Sequence, residues 1–124
     1  MASLFERVNF RSHSGKPLHW KINCDALTDE DIETLAFVVS RNFIFNKVIG
    51  VPAGGLRLAK ALEWYCDPGV EQTLIVDDVL TTGRSMEEIF KGVKGPKMGL
   101  VIFARGPAPT WVNVLFQCGI GGLD

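Results

Sequence analysis

LIVDDVLTTGRS, residues 74–85, sets an apolar run, two adjacent carboxylates, two hydroxyls, a glycine and a serine in one line. The apolar run 72–76 reads as a strand buried on both faces and ending at Asp77 and Asp78. A helix is expected over about 84–93, stopped by Lys94, Gly95 and Pro96. N–H groups at a helix start point outward without partners and bind anions well. Thr81, Thr82 and Ser85 add hydroxyl donors there, and Gly83 lets backbone approach a ligand closely. The acid pair beside them suits the hydroxyls of a sugar. The plainer alternative makes Asp78 or Thr82 a helix N-cap and Asp77 a turn former. Neither G-x-x-x-x-G-K-[ST] nor G-x-G-x-x-G occurs.

Outward from this segment, apolar strands alternate with helices. Thr28 opens a helix 28–42, with Ile32, Leu35, Ala36, Val39 and Phe43 at helical spacing. Residues 47–51 read as a buried strand stopped by Pro52, and 56–65 as a helix. Residues 98–104 read as a third strand, and 111–117 as a weaker fourth. Upstream, 18–23 reads as a short edge strand after a turn at Gly15 and Pro17. The alternation predicts an α/β fold with a mainly parallel sheet and helices on both faces. Right-handed crossovers put the strand C-termini along one edge, where such folds bind ligands. Three loops leave that edge: 52–57, 77–85 and 105–110.

Composition narrows the classes of function. The 124 residues carry 13 Lys+Arg against 14 Asp+Glu, a net charge of -1, which argues against a protein held on nucleic acid by bulk charge. The longest apolar runs are too short to cross a bilayer, and MASLFERVNF has no apolar core of a secretory signal. A cytoplasmic protein of one domain, 1–124, is expected. Cys24, Cys66 and Cys118 lie far apart with no C-x-x-C, so neither a disulfide scaffold nor a zinc site is expected, and no metal ligand set is assigned.

The 74–85 segment resembles the phosphoribosyl pyrophosphate (PRPP) signature of type I phosphoribosyltransferases. That resemblance implies that Asp77 and Asp78 hold the ribose hydroxyls and that Thr81, Thr82, Gly83, Arg84 and Ser85 wrap the 5′-phosphate. It implies that GVPAGGLRLA, 50–59, is the pyrophosphate loop, with Ala53, Gly54, Gly55 and Arg57 facing the pyrophosphate and a cis Pro52–Ala53 bond. Within the family the orotate phosphoribosyltransferases are most similar. There, an arginine ending the third strand reads the pyrimidine, which assigns Arg105 to the base. FRSHSGKPLHWKIN, 10–23, resembles the orotate enzymes' hood, with Ser14, Gly15 and Asn23 matching and Trp20 in an aromatic place. His13 stands where the family has lysine and is assigned to the base as well. The chain divides into a hood, 1–27, and a core, 28–124.

The implied activity is transfer of ribose 5-phosphate to a pyrimidine base with release of pyrophosphate. Mg²⁺ would be bound mainly through PRPP and water, and the chain would form a homodimer. Two family features are missing: only 66–72 stands where a long mobile loop is expected, and Gly54 replaces the pyrophosphate-loop lysine. They leave an alternative, a PRPP- or nucleotide-binding module with little turnover. A phosphoacceptor receiver domain fits less well, because its acid pair lies on the first strand.

Overall fold

A computed structural model describes residues 3–11 and 17–118 of the chain. The elements run β1 (Phe5–Arg11), β2 (Pro17–Ile22), a 3-10 turn (Cys24–Ala26), α1 (Asp29–Asn42), β3 (Lys47–Gly50), α2 (Leu56–Glu63), β4 (Thr73–Leu80), α3 (Arg84–Gly92), β5 (Lys97–Ala104) and β6 (Val112–Gln117). Strands β3 to β6 form a parallel sheet in the order β3-β4-β5-β6. Strands β1 and β2 form a separate antiparallel hairpin.

The central strands are apolar because both their faces are covered. Leu74, Val76, Leu100 and Ile102 pack with Ile32, Ala36 and Val39 of α1 and with Leu58, Ala59 and Leu62 of α2. Ile75, Val101 and Ala104 pack with Met86 of α3 on the opposite face. Helices therefore cover both faces, as the alternation of elements predicts. Helix α1 starts where the sequence places it. Thr28 Oγ1 accepts from Asp31 N at 3.0 Å, and Asp31 Oδ2 accepts from Thr28 N at 2.9 Å, a reciprocal box that satisfies two N–H groups.

Two details differ from the sequence reading. Strand β4 does not stop at Asp77 but continues to Leu80, because Val79 and Leu80 stay in register with Phe103 and Ala104 of the equally long β5. The acid pair therefore sits inside the last turns of a paired strand rather than in a loop. The second difference is in the hood. The 18–23 segment is an edge strand, of a two-stranded sheet of its own, and its partner there is β1, which the sequence reading did not mark. Phe5 carries the hood onto the core, its ring 6.1 Å from Phe103, which in turn stacks on Phe116 at 5.5 Å. Asn23 N donates to Leu4 O at 2.6 Å and closes the hairpin's base. All three cysteines are free and partly exposed.

Candidate functional site

The loop after β3 is folded flat against β4. Val51 N donates to Val76 O at 2.8 Å, and Gly55 N donates back to Val51 O at 2.8 Å. The Pro52–Ala53 bond is cis, as the resemblance implies. A methyl on Gly55 would lie 2.8 Å from Val51 N and against the Val76 carbonyl, so only glycine lets this loop approach the strand. A methyl on Gly54 would lie 2.6 Å from Asp78 Oδ1. The carboxylate of β4 thus rests directly on the first loop. A longer side chain at position 54, such as the family's lysine, has no room while Asp78 keeps this place.

The two acids are adjacent in a strand, and alternation sends them to different faces. Asp78 falls on the side of α1 and α2, where it lines a cleft with Ala53, Gly54, Arg57, Cys24 and Ile102. The cleft measures about 120 Å³. Asp77 Oδ1 accepts from Asp78 N at 2.8 Å, and Asp78 Oδ1 accepts from Val79 N at 2.7 Å. The Asp77 carboxyl is pushed up to about 7, chiefly by burial and also by the hydrogen bond and charge of the Asp78 carboxyl, against the pull of the Asp78 N–H. The pair therefore gives up its last proton only near neutrality.

That proton has a consequence for stability. The folded Asp77 binds it more tightly than the unfolded group, whose value is 3.8. Its favourable contribution is complete below about pH 4 and is lost as pH rises toward 7. Asp77→Asn removes the loss. The variant is expected to gain on wild type across this window and to be more stable at pH 8 by about 1 kcal/mol, a figure discounted for the group's partial exposure. Urea unfolding at pH 4, 5, 7 and 8 checks this; parallel profiles would contradict it.

Beyond β4 the chain turns through Thr81 and Thr82, both exposed, into Gly83. Gly83 is the N-cap of α3 at φ 75, the left-handed region that favours glycine, and no side chain caps the helix. Thr82 Oγ1 approaches Arg84 N only at 3.4 Å. The first N–H groups of α3 and the exposed hydroxyls of Thr81, Thr82 and Ser85 thus face outward together, an arrangement that grips a phosphate dianion. Neither Asp78 nor Thr82 is the cap, so the plainer reading of those residues does not hold.

The remaining expected residues divide. Arg57 lies on the cleft wall, but its donors turn to the hood connector: Nη2 donates to Leu27 O at 2.9 Å and to Asp29 Oδ1 at 3.1 Å, and Nη1 reaches Cys24 O at 3.5 Å. It clamps the hood to α1 and α2 while lending positive charge to the cleft. Arg57→Ala is expected to lower the melting temperature by about 4–8 °C, since hydrogen bonds from a charged donor contribute about 1–2 kcal/mol together at a partly exposed site. A scanning melt checks this; an unchanged midpoint would remove the clamp. Arg105 follows β5, its guanidinium 4.0 Å over the Trp20 ring. His13 lies outside the described residues.

Cys24 and Asp25 line the cleft without having been singled out as site residues, as does Ile102. No motif marks them; they arrive because the connector after Asn23 crosses the strand-end edge. The Cys24 thiol is pushed up to about 12, first by burial and then by the charges of Asp78, Asp25 and Asp77. It is a neutral wall group. A larger groove, about 680 Å³, runs between α1 and α2 along Glu33, Lys60, Trp64 and Tyr65, and of the expected site residues only Arg57 borders it. Among the described residues no group of three or more His, Cys, Asp or Glu is placed to hold a metal ion, and no helix is long and apolar enough to cross a membrane.

A parallel sheet, a two-stranded hood, a cis-bonded loop after the first core strand and an acid pair leading into an open helix start define the type I phosphoribosyltransferase fold, and the chain has it. Among solved structures it is similar to the orotate phosphoribosyltransferase of Aeropyrum pernix, with a TM-score of 0.69 and 21% identity over 92% of this chain and 88% of that one. It is also similar to the orotate phosphoribosyltransferase of Francisella tularensis, with a TM-score of 0.62 and 15% identity over 92% and 80%. UMP synthase of Leishmania donovani matches with a TM-score of 0.62 and 18% identity over 82% of this chain but 28% of that one. No protein-family model and no curated protein matches the sequence.

Proposed function

We propose that the chain is a PRPP-dependent phosphoribosyltransferase of the orotate type, transferring ribose 5-phosphate to a pyrimidine base nitrogen and releasing pyrophosphate. One observation carries the reading: the Asp78 carboxylate rests on Gly54 of the first loop, on the same sheet edge as the uncapped start of α3. A backbone-lined anion loop, a sugar acid site and a phosphate cradle then lie along one edge, and PRPP carries pyrophosphate, ribose and phosphate in that order.

In this reading Asp77 and Asp78 accept hydrogen bonds from the ribose hydroxyls and fix the ring. Thr81, Thr82, Gly83, Arg84 and Ser85 hold the 5′-phosphate through hydroxyls and helix-start N–H groups. The backbone of Ala53, Gly54 and Gly55 faces the pyrophosphate, with Arg57 adding charge from the wall. The chain's work is positional and electrostatic: it anchors both ends of PRPP so that the base nitrogen meets C1′ in line with the departing pyrophosphate. Mg²⁺ would enter with PRPP, bound mainly through PRPP oxygens and water, and would supply positive charge against the leaving group. Arg105, with His13, serves the base, and the protein works in the cytoplasm as a homodimer.

Pyrophosphate release, measured with PRPP, Mg²⁺ and a panel of orotate, uracil and purine bases, tests the reading. Release that depends on a pyrimidine supports it. No base-dependent release, together with a melting temperature raised by PRPP, would leave a binding module. Two observations favour that second reading: the Arg57 donors are already engaged by the hood connector, and the short link from α2 to β4 supplies no covering loop. Arg105→Ala is expected to weaken base affinity about 10-fold or more, the range of one lost charged hydrogen bond, while PRPP affinity stays within about twofold. Titration of both ligands checks it, and the reverse ranking would move Arg105 out of the base pocket.

A further inference from the structure

The groove between α1 and α2, about 680 Å³, has walls of opposite charge. Asp29 and Glu33 stand one turn apart on α1, and Arg57 and Lys60 one turn apart on α2. Asp29 and Arg57 close one end, with Oδ1 3.1 Å from Nη2. Glu33 and Lys60 lie one turn further along, both exposed, and form no ion pair with each other or with another described residue. Beyond them both rows turn apolar. Phe37 follows Glu33 at i+4 on α1 and is 52% exposed, and Trp64 follows Lys60 at i+4 on α2 and is 87% exposed. A nearly bare indole and a half-bare phenyl ring at the end of a charged groove have the composition of an interface rather than of a solvated face.

The two rows are complementary to themselves. A two-fold axis running along the groove lays α1 of one copy on α2 of the other at the same height. Glu33 then faces Lys60 of the partner subunit, Lys60 faces Glu33 of the partner subunit, and Trp64 faces Phe37 of the partner subunit. A partner of one charge sign would be repelled by one of the two walls, whereas a copy brings both signs in the matching order. We propose that this groove is the face on which a second copy of the chain docks, with the two Glu33–Lys60 pairs setting the register and Trp64 anchoring the apolar end. The proposal gives the homodimer of the functional reading a face, and it stands on α1 and α2, not on the chemistry at the strand-end edge.

Sedimentation equilibrium of the full chain across the micromolar range tests it, with a thermal melt of each variant to check folding. Wild type is expected to be a reversible dimer. Glu33→Lys and Lys60→Glu are each expected to weaken dimerisation about 10-fold or more, because each sets like charges opposite one another twice across the axis. An equimolar mixture of these two variants is expected to return to within about threefold of wild type, since both contacts in the mixed dimer again join opposite charges. Trp64→Ser is expected to weaken dimerisation about 30-fold or more, the cost of removing an aromatic anchor. A wild type that stays monomeric would leave the groove to a different occupant and overturn the proposal. A dimer that none of the three substitutions weakens would place the contact elsewhere and overturn it too, as would a mixture no tighter than its two components. Absence of pyrophosphate release or of stabilisation by PRPP leaves every one of these outcomes readable, so the functional reading and the docking face fail separately.

Discussion

Replacing Asp77 and Asp78 together by asparagine is expected to lower PRPP affinity at least about 100-fold, with the fold intact. Above the Asp77 value of about 7, in a titration run near pH 8, both carboxylates are ionised; each oxygen that then accepts a sugar hydroxyl contributes about 1.5–3 kcal/mol, and an amide keeps the shape but loses the charge. Two such bonds lost together amount to about 3–6 kcal/mol, or roughly 10²–10⁴ in affinity. Asn fits both positions: its oxygen still accepts from Asp78 N or Val79 N, where the carboxylates accept at 2.8 and 2.7 Å. Calorimetric titration of PRPP into wild type and variant, with a thermal melt of each, checks it. Unchanged affinity would remove the ribose role from the pair.

Gly55→Ala carries the second large effect, on stability. The added methyl would lie 2.8 Å from Val51 N and against the Val76 carbonyl, and neither backbone group can turn away. The loop must lift off β4, losing the Val51–Val76 and Gly55–Val51 hydrogen bonds, each 2.8 Å long. A loss of about 3 kcal/mol or more follows, lowering the melting temperature by roughly 10–15 °C. Gly92→Ala is the control, because a methyl there meets nothing within 4 Å and replaces a helical glycine. It is expected to stabilise by about 0.5–1 kcal/mol. Gly54→Ala is informative between them: its methyl meets the Asp78 carboxylate, a side chain that can rotate. It is expected to cost PRPP affinity more than stability. Equal melting temperatures for Gly55→Ala and wild type would contradict the packing of this loop.

The parts of the fold that the sequence displays are those written in local patterns. Thr28 followed by Asp31 marks the α1 start because both halves of the box lie within one turn. Val76, Asp77 and Asp78 followed by Thr81, Thr82 and Gly83 mark a strand, an acid pair and a helix entry for the same reason. What escaped reading depends on groups far apart in the chain. β4 runs on to Leu80 because β5 is long enough to pair with it. β1 was missed because Phe5–Arg11 mixes charged with aromatic residues and gains its pairing only from β2. Arg57 has the charge to face a pyrophosphate, but its partners Cys24, Leu27 and Asp29 stand 33, 30 and 28 residues upstream. Gly54 read as a lost lysine; the structure adds that Asp78 occupies the space such a side chain needs.

Amide chemical shifts recorded during titration with PRPP, and separately with ribose 5-phosphate, bear most directly on the turn after β4 as the phosphate grip. The amides of Thr82, Gly83, Arg84 and Ser85 are expected to move with both ligands, and those of Ala53, Gly54 and Gly55 with PRPP alone. Shifts confined to the Lys60 and Trp64 groove between α1 and α2, with the 81–85 amides unmoved, would contradict it.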